Sequence, residues 1–376
     1  MANILINGLN AKSGGGKSIL VNYLSILSKK NKTDKYFVLT PSNVDYSQFE
    51  NHFIEIIQLN KLYSNLVIYP IVYTWVLPRL LRHQNIDVVL NLADIPIKTT
   101  VKQIFLFDWP YAVYPDSQVW DLMNIKSKII RRSKLFLFKA YSGYVDIFIS
   151  QTRTIKERLS NIYGFDNITI IPNGVSEDNI DGGVYNDFNL PMGDKLLYLT
   201  YYYPHKNLEV LLPLAVRIKK HNLPYKIITT IDSTQGKGAK YFLDEISKKR
   251  LEDVIINIGS VEMKHVSSLY KQCDGLLMPT LLETYGLPYV EAMYNDVAIL
   301  TSDLDFARDV CGNAAEYFIP TNSKSIFDSI EKVFNDKNLK KKLVSNGNKK
   351  IKKLPTWNDT VYEYSKIIDR FISDLK

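Results

Sequence analysis

Cysteine is almost absent: Cys273 and Cys311 are the only two in 376 residues. They lie far apart and form no CxxC pair. That argues against a disulfide framework or a thiolate metal cluster and points to a reducing compartment. Histidine is scarce too, with five copies. Four of them, His52, His83, His221 and His265, show no ligand spacing and read as surface or core residues. The longest apolar run, Leu66 to Leu77, is broken by Pro70 and followed by Pro78. It falls short of the roughly 20 residues a membrane-spanning helix needs. Residues 1–18 lack the basic, apolar and small-residue succession of a signal peptide, so the sequons at Asn167 and Asn358 carry little meaning. Internal repeats and low-complexity tracts are missing as well. The Lys-rich stretch 337–353 is interleaved with Leu339, Leu343, Val344 and Ile351 and reads as a solvated helix face.

What remains is an ordinary globular composition. Hydrophobic residues make up 46% and charged residues 23%, which excludes a disordered or collagenous chain. The length predicts two domains, each large enough to bury a core. The formal charge of +8 suits anionic partners, whether sugar nucleotides, lipid phosphates or nucleic acid, without choosing among them.

Short apolar runs alternate with longer amphipathic ones. Strands are expected at 4–7, 88–92, 103–107, 146–150, 168–171, 195–201, 226–231, 254–258, 275–278 and 298–301. They are rich in Val, Ile, Leu, Phe and Tyr and show little polar alternation, as strands buried on both faces of a parallel sheet do. Helices are expected at 18–30, 154–163, 208–221, 264–272 and 283–294. The alternation predicts an α/β fold with doubly wound sheets. A seam follows Pro172-Asn173-Gly174-Val175, where Asn-Gly signals a turn and the polar stretch 176–194 leads to a new strand. One sheet domain is therefore expected over 1–175 and a second over 176–357. The tail, 358–376, is an amphipathic helix with Val361, Tyr364, Ile367, Ile368 and Phe371 at helical spacing.

Three segments carry chemistry. The first, Lys12-Ser13-Gly14-Gly15-Gly16-Lys17-Ser18, follows a strand and opens a helix. Its glycines allow close backbone approach, and the free N–H groups of a helix start suit phosphate. It misses the P-loop pattern at Ala11, and the acidic partner strand 88–94 is interrupted by Asn91. A different Gly-rich ligand loop and a plain structural turn both fit. The second segment, Tyr201-Tyr202-Tyr203-Pro204-His205-Lys206-Asn207, sets a lysine at the carboxyl end of a strand, where open α/β sheets bind ligands and a point charge suits a diphosphate. A solvent lysine in a loop is the plain alternative. The third runs from Pro279 to Met293 and holds Glu283 and Glu291. On a continuous helix they would share one face about 12 Å apart, too far for paired acid–base work on one bond but suited to the two ends of a long ligand. An ordinary capped helix fits them equally.

Together these pieces resemble the retaining glycosyltransferase family 4 of the GT-B fold. The resemblance includes Pro172-Asn173-Gly174, the Lys206 segment, Ile258-Gly259-Ser260-Val261 and Ser302-Asp303-Leu304. It is strongest in the Glu-x7-Glu signature from Glu283 to Glu291, which encloses Tyr285-Gly286-Leu287-Pro288. It implies two Rossmann-like domains facing across a cleft, with acceptor bound by the first, donor by the second, and the last helix crossing back to the first. By the same resemblance Lys206 holds the donor diphosphate and Glu283 the transferred sugar. Backbone at Thr284, Tyr285, Gly286 and Leu287 contacts sugar and phosphates, and Glu291 binds the ribose. Gly259 to Val261 lie near the base, and Gly14, Gly15 and Gly16 close over the donor.

Two departures stand out. Tyr201 occupies a position where the family commonly places an arginine, leaving His205 or Lys17 to assist Lys206. Asp108, in Leu106-Phe107-Asp108-Trp109-Pro110, stands where many members carry a histidine; it either accepts the acceptor proton or caps its loop. Asp303-x-Asp305 mimics a metal-binding motif but falls in a segment where this fold uses none. The stretch 126–139 mixes Lys126, Lys128, Arg131, Arg132 and Lys134 with Ile129, Ile130, Leu135, Phe136 and Phe138. It suits an anionic bilayer or an ordinary helix with one charged face.

The expected activity is transfer of a sugar from a nucleotide-diphosphate sugar to a saccharide or lipid-linked saccharide acceptor. The expected setting is bacterial surface-polysaccharide (O-antigen or capsule) assembly in the cytoplasm, at the inner face of the membrane. No metal or other cofactor and no nucleic-acid partner is expected. A P-loop-type nucleotide hydrolase or kinase, and a non-catalytic basic protein binding nucleic acid or membrane, are the alternative classes.

Overall fold

The computed structural model describes every residue except 31, 32, 65, 176–184 and 376. The first nine residues of the polar stretch 176–194, at the expected seam, thus lie outside the described residues. The chain forms two compact units. One comprises Met1–Pro115, Met123–Gly174 and Pro355–Lys376; the other comprises Asp116–Leu122 and Val175–Leu354.

The first unit is built on seven parallel strands: β1 (Asn3–Asn7), β2 (Lys35–Pro41), β3 (Ile54–Leu59), β4 (Val88–Asn91), β5 (Lys102–Leu106), β6 (Ile147–Ser150) and β7 (Ile168–Ile170). Their order is β3-β2-β1-β4-β5-β6-β7, so the winding reverses between β1 and β4. Alternation along β1 shows why both faces must be covered. Ile4 and Ile6 enter one core with Leu20 and Leu24 of the helix Gly14–Ser28, while Leu5 enters the opposite core with Tyr73, Leu77 and Leu137. A strand buried on two sides has no polar face, hence the continuous apolar runs.

The last helix, Trp357–Asp374, belongs to this unit. Its Trp357, Val361, Tyr364, Ile368 and Phe371 recur every three or four residues and join the Ile4–Ile6 core. Burying side chains of this kind is worth roughly 1.5–3 kcal/mol each. The helix begins with a reciprocal cap: the Thr356 hydroxyl accepts from the Asp359 amide, and the Asp359 carboxylate accepts from the Thr356 amide at 2.8 Å. Gly174 makes the docking possible, because a Cβ there would lie 2.2 Å from the backbone nitrogen of Trp357. Thr360 adds a hydrogen bond to the Pro172 carbonyl at 2.9 Å.

The second unit carries six parallel strands: β8 (Asp194–Tyr198), β9 (Tyr225–Thr229), β10 (Ile255–Asn257), β11 (Gly275–Met278), β12 (Ala298–Ser302) and β13 (Ala315–Phe318). Their order is β10-β9-β8-β11-β12-β13, which reverses between β8 and β11. In open sheets of this kind ligands sit outside the carboxyl ends of the strands at such a reversal.

Candidate functional site

In the second unit the reversal point is where Lys206 and Glu283 meet. Lys206 ends the single turn Pro204–Lys206 after β8, and Glu283 lies in the loop after β11. The two side chains form an ion pair, each with 14% of its side-chain surface exposed. Neighbouring groups hold the loops together. The Leu281 amide donates to the His205 carbonyl at 2.7 Å. The Thr280 hydroxyl donates to the same carbonyl at 3.1 Å, and the Tyr198 hydroxyl donates to the Lys206 carbonyl at 2.5 Å. Asn207, in left-handed backbone at φ 55°, donates its side-chain amide to the carbonyls of Pro279 (3.1 Å) and Pro320 (2.8 Å). Lysine and carboxylate therefore face each other on a backbone already fixed by neutral hydrogen bonds.

The helix expected from Glu283 starts four residues later, at Leu287. Glu283 is thus a loop residue, and the 12 Å same-face relation to Glu291 does not apply. The cause is Gly286, whose φ of 78° breaks the helical path. A Cβ there would also strike the Tyr289 ring at 2.6 Å. Thr284 and Tyr285 lie buried in this loop, and Leu287 opens the helix Leu287–Tyr294. Glu291 points to the same unit's interior, where the Tyr270 hydroxyl donates to it at 3.1 Å. Burial holds its carboxyl pKa up to about 7, although the Tyr270 bond pulls the other way. Gly259 and Val261 follow β10, two strands from β8, and are half-exposed.

One feature of this site gave no signal in the sequence beyond its tyrosine count. Tyr201, Tyr203 and His205 line up their rings as the chain passes into the turn Pro204–Lys206, Tyr201 tilted against Tyr203 and Tyr203 stacked on His205. The first two rings lie 5.1 Å apart, and the last two lie 5.4 Å apart and within 11° of parallel.

Of the remaining sequence-predicted residues, the three glycines and Asp108 lie in the first unit, and Asp303 and Asp305 in the second. Gly14, Gly15 and Gly16 open the helix Gly14–Ser28 after β1, and Ser13 gives that helix start no side-chain cap. Asp108 follows β5 and interacts electrostatically with Lys134. Asp303 pairs with Arg308 at 2.5 Å, and Asp305 accepts from the Phe306 amide at the start of the next helix. On the helix Ile125–Tyr141, Ile125 (77%), Ile129 (58%) and Phe136 (73%) stand exposed, with exposed Lys126, Arg132 and Lys139 around them. Among the described residues no helix is long and apolar enough to cross a membrane.

Residues 188–350, which include Lys206, Gly259, Glu283 and Glu291, match the family model described as Glycosyl transferases group 1. The chain is 24% identical over 223 residues to the O-antigen chain mannosyltransferase RfbU of Salmonella typhimurium, covering 58% of this chain and 57% of that one. It therefore spans little more than half the length of that relative. It is 32% identical over 100 residues to the capsular polysaccharide biosynthesis glycosyltransferase CapM of Staphylococcus aureus, covering 25% and 26% of the two chains. Among solved structures, WaaG, a glycosyltransferase involved in lipopolysaccharide biosynthesis, superposes with a TM-score of 0.73 at 14% identity, covering 98% of this chain and 99% of that one. Anabaena Alr3699/HepE, solved with UDP and glucose, gives 0.69 at 12% identity, covering 98% and 100%. The fold is GT-B.

Proposed function

We propose that this chain is a retaining, metal-independent glycosyltransferase of family 4 type. Its donor is a nucleotide-diphosphate sugar, and its acceptor is a hydroxyl of a lipid-linked saccharide in bacterial surface-polysaccharide assembly. The observation that carries the reading is the Lys206–Glu283 pair at the winding reversal of the second sheet. It sets a cation beside a carboxylate where a departing diphosphate and a reacting sugar must also lie side by side.

Each half of the reaction has a matching group. Lys206 offsets charge on the leaving diphosphate, and N–H groups at the start of the helix Leu287–Tyr294 add to it by fixed dipoles. Glu283 accepts from hydroxyls of the transferred sugar. Glu291 accepts from the ribose. The Tyr201–Tyr203–His205 stack replaces the missing arginine with a rigid wall, so Lys206 carries most of the diphosphate's neutralisation. The names of the relatives, O-antigen and capsular polysaccharide enzymes, support the acceptor class. The exposed apolar stripe and basic rim of the helix Ile125–Tyr141 support work at the inner face of an anionic membrane.

The test is melting of the intact chain with UDP, GDP, ADP and CMP, in buffer and in EDTA. A ligand at about 100 times its Kd adds roughly 2.7 kcal/mol. One nucleotide should raise Tm by a few degrees, and sugar transfer from its hexose conjugate should survive EDTA. No shift with any nucleotide rejects the donor reading. Transfer abolished by EDTA and restored by Mn²⁺ rejects metal independence.

A further inference from the structure

The first sheet has its own winding reversal, between β1 and β4, and a polar cluster sits at its carboxyl end. A buried amide network shapes it. Asn7 ends β1 and donates to Asn91 at the end of β4 at 3.0 Å. Asn91 accepts from the Ala93 amide at 3.0 Å and donates to the Ile95 carbonyl at 3.0 Å and to Gln103 at 3.1 Å. Gln103 in turn holds both the amide and the carbonyl of Ile97. This explains the asparagine that interrupts an otherwise apolar strand. It fixes the turn 92–97 and puts Asp94 at its tip.

Asp94 then meets two donors through one oxygen. Asn10, from the loop after β1, donates to Oδ2 at 2.7 Å, and Lys134 of the helix Ile125–Tyr141 pairs with the same atom. The Lys134 ammonium also lies 4.3 Å from the centre of the Trp109 ring. The other carboxylate oxygen, Oδ1, accepts from none of the described residues, and a quarter of the Asp94 side chain (25%) is exposed. Lys134 has 12% of its side chain exposed, and burial pulls its pKa down against the pull of Asp94. An ion pair this buried returns little net stability, and a well-packed apolar pair would serve the fold as well or better. The amide network already holds the loop. The charges therefore remain for something other than folding.

Around the Lys134 ammonium the signs are mixed. Lys134 and Arg131 are cations, Asp94 and Asp108 anions. A phosphate or carboxylate would meet two carboxylates, whereas a neutral polyol would find an open acceptor beside an ammonium donor. We propose that Asp94, Lys134 and Asn10 form a binding subsite for a neutral sugar ring, in which one ring hydroxyl donates to Asp94 Oδ1 and its neighbour accepts from Lys134 Nζ. Calling that sugar the acceptor rests on the glycosyltransferase reading; the binding itself does not.

The probes are methyl α-D-mannopyranoside, methyl α-D-glucopyranoside and methyl α-D-galactopyranoside, with glucose 6-phosphate as the anionic comparison. Binding to the intact chain is read by saturation-transfer NMR. At least one methyl glycoside should bind the wild type, more tightly than the phosphorylated sugar. Binding should fall at least tenfold in the double variant D94L/K134M, which exchanges the ion pair for an apolar one and should melt no lower than wild type. Asp94→Asn, which keeps shape and volume, should weaken binding severalfold and serves if the double variant does not fold. The proposal is overturned if no methyl glycoside binds, if binding is undiminished in the variants, or if the phosphorylated sugar binds better. Nucleoside diphosphate affinity, measured on the same wild-type sample, reports on the glycosyltransferase reading separately.

Discussion

Lys206 and Glu283 are each other's counter-ion, so removing either changes what the other sees. Lys206→Ala removes the cation assigned to the diphosphate. Nucleoside diphosphate affinity should drop by about 1.5–3 kcal/mol, the value of a charge-assisted hydrogen bond, or roughly 10- to 150-fold. Calorimetric titration checks this, and unchanged affinity would reject the role of Lys206. The glutamates should separate. Glu283→Gln keeps the loop's shape but weakens acceptance from sugar hydroxyls, so turnover falls while affinity for the sugar-free nucleotide stays near wild type. Glu291→Gln should weaken the nucleotide itself. Equal losses of nucleotide affinity in both variants would refute the assignment.

Glu291 adds a pH signature. Its carboxyl, held up to about 7, sits above the 4.5 of an unperturbed glutamate. Between those values the folded chain binds a proton that the unfolded chain has released, so stability falls as pH rises from about 4.5 to 7 and is level above. Burial of this one group accounts for up to about 3 kcal/mol of that fall. Denaturation across this range should show the slope in wild type and less of it in Glu291→Gln. If Glu291 binds the ribose as proposed, its ionised form is the acceptor, so affinity should rise by about tenfold from pH 6 to 8 beyond whatever rise Glu291→Gln retains. The sequence singles out Lys206 and the two glutamates because they follow strand ends in local motifs that resemble a known family; their roles stay proposals. It did not make Tyr198, Asn207 or the Asp94–Lys134 pair legible, because their partners come from other loops and only the closed sheets bring them together.

At the scale of elements, apolar runs located most strands but not β2, β3 or β13. β3, at the sheet edge, is interrupted by Glu55 and Gln58, and the four-residue β13 by Glu316, so neither shows a continuous apolar run. β2 is apolar enough, but it begins at a lysine and ends at a proline. The helix expected over 283–294 is four residues shorter, because Gly286 inside the pattern, at φ 78°, stops it from starting before Leu287. Gly174 is the clearest example of an element fixed by one residue. Gly174→Ala would drive a methyl group into the backbone of Thr356 and Trp357, with no flexible side chain to give way. The start of the last helix must shift, at a cost of about 1–3 kcal/mol. A lower unfolding midpoint, with nucleoside diphosphate affinity unchanged because the site proposed for it lies in the other unit, is the expected result. Wild-type stability would show that the helix start adapts freely.

For the whole molecule, the net charge of +8 decides what kind of surface it meets. The helix Ile125–Tyr141 concentrates that excess beside three exposed apolar side chains, Ile125, Ile129 and Phe136, four and seven residues apart. Four and seven residues are one and two turns, so the three lie on one stripe. Each apolar side chain moved out of water is worth about 1.5–3 kcal/mol, and each lysine or arginine near an anionic surface about 1 kcal/mol. Neither contribution alone anchors a protein firmly; together they give reversible, salt-sensitive attachment. The chain should sediment with vesicles of phosphatidylglycerol and phosphatidylcholine, release as salt is raised, and ignore pure phosphatidylcholine. Ile129→Ser with Phe136→Ser should weaken the anionic binding by at least tenfold without changing its salt dependence, because the charges stay. Lys126→Gln with Arg132→Gln should instead flatten the salt dependence. A purely solvated helix makes the opposite forecast: no vesicle binding at low salt, and no difference between the two pairs of variants. That outcome would leave the sugar-transfer chemistry standing but move its acceptor off the membrane.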